Sequence, residues 1–107
     1  MNKKIKKIVN NFSNDTKHLL KDNLIAEYLF GSTARAENKE LSDIDILIIV
    51  KQFDYKLREA LSSLSSEYSI NHGLYISPIL KDKNIWEKNK IHQTLFYKEI
   101  QRDGIRL

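Results

Sequence analysis

The chain has 107 residues, 41% of them apolar and 30% charged, which describes one ordinary globular domain spanning residues 1–107, with one modest core and little chain left for a second substrate-binding module. It contains no cysteine, so disulfides and thiolate metal sites are excluded. The net charge of +4 is local: residues 1–23 hold six Lys and two Asp, while the remainder balances 12 Lys or Arg against 12 Asp or Glu, so the excess reads as a basic, solvated face of the first helix and only secondarily as an RNA-binding surface.

The start, Met1-Asn2-Lys3-Lys4, is basic, but no apolar stretch follows it. The longest apolar run, Ile44 to Val50, is interrupted by Asp45 and too short to span a bilayer. The expectation is a cytoplasmic protein with no membrane partner.

In chain order, Ile5, Ile8, Val9, Phe12, Leu19 and Leu20 recur at helical spacing and predict a helix from Lys3 to Leu20. Ile25 to Phe30 is a short apolar run that stops at Gly31 and reads as a strand. Ser32 to Ala36 is a helix-compatible turn. Ile44 to Val50, rich in Ile and Val, reads as a buried strand. Asp54 is placed to cap a helix running to about Tyr68, with Leu57, Leu61, Leu64 and Tyr68 on one face. Leu74 to Leu80 is a third strand, and Pro78 within it predicts an edge or a bulge. Asn84 to Asp103 is helical in pattern with a break expected near Asn89, and Gly104 is a stop signal. Trp86, Phe96 and Tyr97 in that segment are expected to pack the core, as are Tyr28 and Phe30; His18, His72 and His92 match no metal-site spacing and are expected at the surface. The predicted class is α/β (α+β), a small mixed three-stranded sheet covered by helices.

The chemistry concentrates between the first two strands. Leu29-Phe30-Gly31-Ser32-Thr33-Ala34-Arg35-Ala36-Glu37 ends a strand at a glycine and opens a helical turn. A glycine permits the tight turn and close ligand approach, and the free N–H groups of a new turn suit phosphate. Ser32 adds a hydroxyl there, and Arg35, one turn on, is placed to neutralise phosphate charge or to support carboxylates. In Ser42-Asp43-Ile44-Asp45-Ile46-Leu47 the two acids are two residues apart, so on a strand they share a face while Ile44 and Ile46 point into the core. Paired carboxylates repel, and a divalent cation bound jointly with substrate phosphates relieves that repulsion. Neither a Walker loop nor a dinucleotide fingerprint is present.

Gly31-Ser32-Thr33-Ala34-Arg35 followed by Ser42-Asp43-Ile44-Asp45 resembles the minimal nucleotidyltransferases of the DNA polymerase beta superfamily, whose pattern is Gly-Ser-x-Ala-Arg-Gly, a short spacer and Ser-Asp-x-Asp. The likeness extends weakly to Tyr75-Ile76-Ser77-Pro78 and Arg102-Asp103-Gly104-Ile105. It implies the nucleotidyltransferase fold, a triphosphate held by Gly31 and Ser32, and Mg²⁺ bound by the catalytic Asp43 and Asp45, with ATP as substrate. Many members are antitoxins encoded beside a HEPN-domain ribonuclease toxin, and some transfer AMP from ATP to a tyrosine of that toxin. The resemblance thus implies a HEPN-like toxin partner and a homo- or hetero-oligomer. Two departures stand out. Ala36 occupies a glycine position. The third-strand carboxylate of fully active members aligns with Tyr75, or with His72 if the alignment slips; of the nearest acids, Asp82 is expected past the strand end and Glu67 on a helix. The alternative expectation is therefore a catalytically degenerate module that neutralises a partner toxin by binding alone.

Overall fold

The structure is a computed structural model, and it describes residues 2–35 and 43–107. The expected turn residue Ala36, and Ser42 of the acidic motif, lie outside the described residues.

Helix α1 (Lys3–Leu20) opens on Asn2, whose side chain accepts a hydrogen bond from the Ile5 amide; this cap satisfies one of the free donors of the first turn. Ile8, Val9, Phe12 and Leu20 are buried, whereas Leu19 faces out. A 3₁₀ turn at Lys21–Asn23 leads into strand β1 (Leu24–Phe30). One helical turn, α2 (Gly31–Ala34), follows it directly, and strand β2 (Ile44–Val50) runs back beside β1. Asp54 caps α3 (Tyr55–His72), its carboxylate accepting from the Leu57 amide at 2.8 Å. The helix runs four residues beyond the expected Tyr68 and ends on Gly73, which adopts a left-handed φ of 67°.

The third strand, β3 (Ile76–Asp82), starts and ends two residues later than expected. Gly73 closes α3 so late that Leu74 and Tyr75 are needed to reach the sheet. Helices α4 (Lys83–Ile91) and α5 (Leu95–Asp103) are separated at His92–Thr94, not at Asn89. Asn89 nonetheless shapes the break: its carbonyl accepts from the Thr94 amide and its side chain from the Thr94 hydroxyl. Gly104 ends α5 as expected, but in an extended conformation, and leads into a fourth strand, β4 (Ile105–Arg106).

Among the described residues the sheet therefore has four strands, in the order β3-β2-β1-β4, where three were expected. Two-residue β4 carries no periodicity of its own and exists because it pairs with Tyr28 and Leu29. β1 pairs antiparallel with both β2 and β4, and β2 pairs parallel with β3, so the sheet is mixed, as expected. Strand alternation divides the core. Leu29, Ile44, Ile46, Ile48, Val50 and Ile76 face α1 and α3, while Ala26, Phe30, Leu47 and Ile49 pack against Ile100, Trp86 and Phe96 from α4 and α5. β2 is buried on both faces, which is why its sequence is almost continuously apolar.

β3 is an edge strand, as its proline suggested. Ile44 donates its amide to the Tyr75 carbonyl, so in this parallel ladder the odd-numbered residues of β3 bond to β2 and the even-numbered ones point outward. Pro78 sits at an outward position, where no ladder bond is lost. The outward carbonyl of Ile76 is taken by the Ser65 hydroxyl of α3.

Candidate nucleotidyltransferase site

The register of β1 against β2 places Phe30 opposite Asp45, so the glycine after the strand arrives beside that carboxylate. Gly31 has φ of 75°, a conformation that L side chains adopt with strain. A Cβ there would also strike Asp45 Oδ2. Both the turn and the approach to Asp45 therefore demand a glycine. Ser32 follows in the single turn of α2 and is half-buried. Thr33 is buried and donates to the Asp43 carbonyl at 3.5 Å, a long contact that ties α2 to the start of β2.

Asp45 lies within β2, on the face shared with α5. Asp43 stands one residue outside the strand and is exposed; it was expected on the strand itself. Burial pushes the Asp45 carboxyl above its ordinary value, the charges of Asp43 and Glu99 push it further, and Arg35 partly opposes them. A site that makes its own carboxylate costly to ionise is one that an added cation stabilises. Among the described residues no group of three or more His, Cys, Asp and Glu is arranged to hold a metal ion. Two carboxylates with open positions left for phosphate and water suit Mg²⁺, which keeps much of its shell for such ligands.

Arg35, at the end of α2, reaches α5: its guanidinium is 3.5 Å from Glu99 and 3.7 Å from Asp103. Asp103 also accepts from Arg102 at 2.8 Å, and this hydrogen bond is the largest of the effects that hold its carboxyl below the ordinary range. The sequence reading missed Glu99 and Asp103. They are spaced i, i+4 on α5 and flank the stripe that carries Phe96 and Ile100, but helical spacing does not reveal which strand end a helix crosses.

The remaining expected acids are elsewhere. Asp82 is the last residue of β3, opposite Val50, and caps α4 by accepting from the Ile85 amide at 2.8 Å. Glu67 is exposed on α3, and His72 is the exposed last residue of that helix. Tyr75 precedes β3 and is 61% exposed. The β3 residue paired with Asp45 is Ser77. On the α4–α5 side, Phe30 packs edge-on to Phe96 with ring centroids 5.3 Å apart, and Trp86 contacts both Phe96 and Tyr97. Phe30 is a core residue, as expected; Trp86 and Phe96 are half-buried against that core, and Tyr97 is half-buried beside Trp86 and outside both core clusters.

Comparison with known proteins shows the family to which the chain belongs. A presumed protein adenylyltransferase of Methanocaldococcus jannaschii is 35% identical over 101 residues, covering 94% of this chain and 95% of its own. A second one from the same organism is 30% identical over 99 residues, covering 92% of each. Among solved structures, a chain of a toxin–antitoxin crystal structure with AMP-PNP superposes with a TM-score of 0.55 at 20% identity, covering 87% of this chain and 69% of that one. A protein from Shewanella oneidensis superposes with a TM-score of 0.53 at 18% identity, covering 100% of this chain and 71% of that one. At those identities the structures speak to the fold alone, and it is the same fold. The profile of the nucleotidyltransferase domain family matches residues 5–107, and with the strand–glycine–carboxylate arrangement now described, this chain belongs to that family.

Proposed function

We propose that the chain binds Mg²⁺-ATP at Gly31, Ser32, Asp43 and Asp45 and transfers AMP to a hydroxyl on a partner protein, acting as the antitoxin of a HEPN-like toxin. One observation carries the reading: Gly31 is held, by its positive φ and its lack of a side chain, against the carboxylate of Asp45. The turn that would receive the triphosphate and the acid that would hold the ion are thereby one structural unit. The names of the two Methanocaldococcus jannaschii relatives support a protein acceptor, and the toxin–antitoxin structure with AMP-PNP supports both the nucleotide and the class of partner. Among the described residues no helix is long and apolar enough to cross a membrane.

In this reading the acceptor oxygen attacks the α-phosphorus, the bond from that phosphorus to the bridging oxygen breaks, and pyrophosphate leaves with the electron pair. Mg²⁺ supplies charge neutralisation at the phosphates. Asp43 and Asp45 anchor it, Gly31 and Ser32 seat the leaving phosphates, and Arg35, released in part from Glu99 and Asp103, adds positive charge. The acceptor's proton passes to water or to a base that the partner brings, since Ser77 stands across from Asp45.

The same serine favours the second reading, a module that neutralises its partner by binding alone. Calorimetry with Mg²⁺-ATP tests what the two readings share and what separates this site from any other. Asp43→Asn combined with Asp45→Asn is expected to abolish metal-dependent binding, and unchanged affinity in the double variant would refute the site. Labelled AMP from ATP, followed into the purified partner protein, separates transfer from binding alone.

A further inference from the structure

The in-line geometry of the proposed transfer fixes the side from which the acceptor must come, and the structure has a groove on that side. The strand order runs β3-β2-β1. The turn proposed to hold the leaving phosphates follows β1, and of the proposed metal ligands Asp43 immediately precedes β2 and Asp45 lies at its start. A nucleophile attacking opposite the leaving group then approaches across β3. There a groove of about 480 Å³ runs between β3 and the N-terminal half of α3. Ser77, the neighbour of Asp45, and Tyr75, whose carbonyl binds the first amide of β2, both line it. It therefore runs along the outer edge of β3 to the end of the sheet that carries the proposed metal ligands, and because the Asp45 side chain lies on the α5 face, an occupant reaches that carboxylate by passing over the β3 edge at Ser77.

The lining describes the occupant. Phe53 and Tyr75 supply aromatic walls, and both are exposed. Ser62 and Ser66 present hydroxyls from α3. Among the described residues Arg58 is the one charged side chain in the lining, and it is exposed. A lining whose described residues hold a single cation and no anion complements an acidic occupant. Its outer wall is poorly suited to strand addition: Pro78 has no N–H to offer, and the outward carbonyl of Ile76 is already bonded to Ser65. Recognition of the occupant therefore falls mainly to side chains.

We infer that the α3–β3 groove is the acceptor-docking site, taking an acidic, hydroxyl-bearing segment of the partner protein with a carboxylate on Arg58 and its reactive hydroxyl directed past Ser77. This rests on the adenylyl-transfer reading for its direction of approach, but the groove can be tested without nucleotide. The probe is a random poly(Glu,Tyr) copolymer titrated into the isotope-labelled full chain, with amide shifts followed by NMR and poly(Lys,Tyr) as the opposite-charge control. Shifts are expected at Ser62, Ser66, Tyr75 and Ser77 with poly(Glu,Tyr) and not with poly(Lys,Tyr). Arg58→Glu is expected to weaken binding at least about tenfold, the scale of losing a charged partner at an interface. Ser62→Trp, which fills the groove without changing charge, is expected to do the same, whereas Lys7→Glu on α1 leaves it intact.

Shifts confined to the basic face of α1, or binding that Arg58→Glu and Ser62→Trp both leave unaltered, would overturn the inference. Asp43→Asn with Asp45→Asn separates the two claims. If the double variant keeps its Mg²⁺-ATP affinity while the copolymer still binds at Arg58, the nucleotide reading fails and the groove stands. If Mg²⁺-ATP binding is lost and the copolymer shifts lie elsewhere, the groove fails and the nucleotide site stands.

Discussion

Gly31 is asked for three things at once: a left-handed turn, room for Asp45, and free approach for a ligand. The first two are visible in the structure. Gly31→Ala is expected to cost about 1–2 kcal/mol for the left-handed backbone alone, and more as the Asp45 carboxylate is displaced. A thermal melt measures the first effect. Calorimetry measures the second, as loss of Mg²⁺-ATP affinity that exceeds what the lower stability explains. Asp45 makes the complementary case. Burial, Asp43 and Glu99 raise its folded-state pKa above the ordinary 3.8. An acid that ionises less readily when folded costs the fold stability as pH rises from that ordinary value through the raised one, and the cost persists at neutral pH. Asp45→Asn is therefore expected to melt higher than the parent at pH 7 without divalent ions, and to melt like it below the carboxylate range. It should also lose the stabilisation that Mg²⁺-ATP gives the parent. A variant less stable than the parent at pH 7 would show that the Asp45 charge is already well compensated without a cation.

Elements were legible from the sequence where periodicity spoke and illegible where pairing decided. The Ile-rich β2 and the capped α3 announced themselves by composition and by Asp54. β4 did not, because two residues carry no period and its existence depends on meeting Tyr28 and Leu29 across space. The register of β3 was missed by two residues because the sequence reading ended α3 at Tyr68 and passed over Gly73, a glycine stop, and that choice decides whether Tyr75 or Ser77 lands beside Asp45. The Gly-Ser and Asp-x-Asp pattern was readable because each residue type serves its role locally, whereas Glu99 and Asp103 join Arg35 only through the docking of α5. The attachment of α1 was equally hidden. Glu27 is 1% exposed on β1 and accepts from the hydroxyls of Ser13 and Thr16 on α1, the former at 2.6 Å. Thr16→Val keeps the shape but removes one donor from a buried carboxylate, and is expected to destabilise the chain by about 1–3 kcal/mol in a denaturant titration. The same substitution paired with Glu27→Leu should cost less than the sum of the two single changes, since the unsatisfied acceptor is then gone. Strict additivity would mean that the hydroxyl and the carboxylate do not interact.

For the whole molecule, activity depends on what the strand order brings to one place. β1 delivers the glycine turn, β2 delivers Asp45 with Asp43 just before it, and β3 the side chain next to them, while α5 brings the Glu99 charge near Asp45; within the sheet, a third carboxylate would enter from β3. The register makes Ser77 that position, while Tyr75 lies before the strand and faces solvent. General-base assistance is typically worth about 10²–10⁴-fold. Positioning and charge neutralisation supply most of the catalysis in phosphoryl transfer and remain without it. The isolated chain is accordingly expected to transfer AMP weakly. Ser77→Asp is expected to raise the rate toward the lower end of that range, and Tyr75→Asp to raise it less, because its carboxylate would sit beside Asp43 at the rim rather than across from Asp45. The assay is transfer of labelled AMP from ATP to the purified partner protein, with parent, Ser77→Asp and Tyr75→Asp compared at equal Mg²⁺. A third carboxylate also adds repulsion to Asp43 and Asp45, so Ser77→Asp should lose thermal stability without Mg²⁺ and recover it with the ion. Fast transfer by the parent that Ser77→Asp leaves unchanged would mean that the partner brings its own base, and the serine opposite Asp45 would then be no defect of the enzyme but half of a site completed by its substrate.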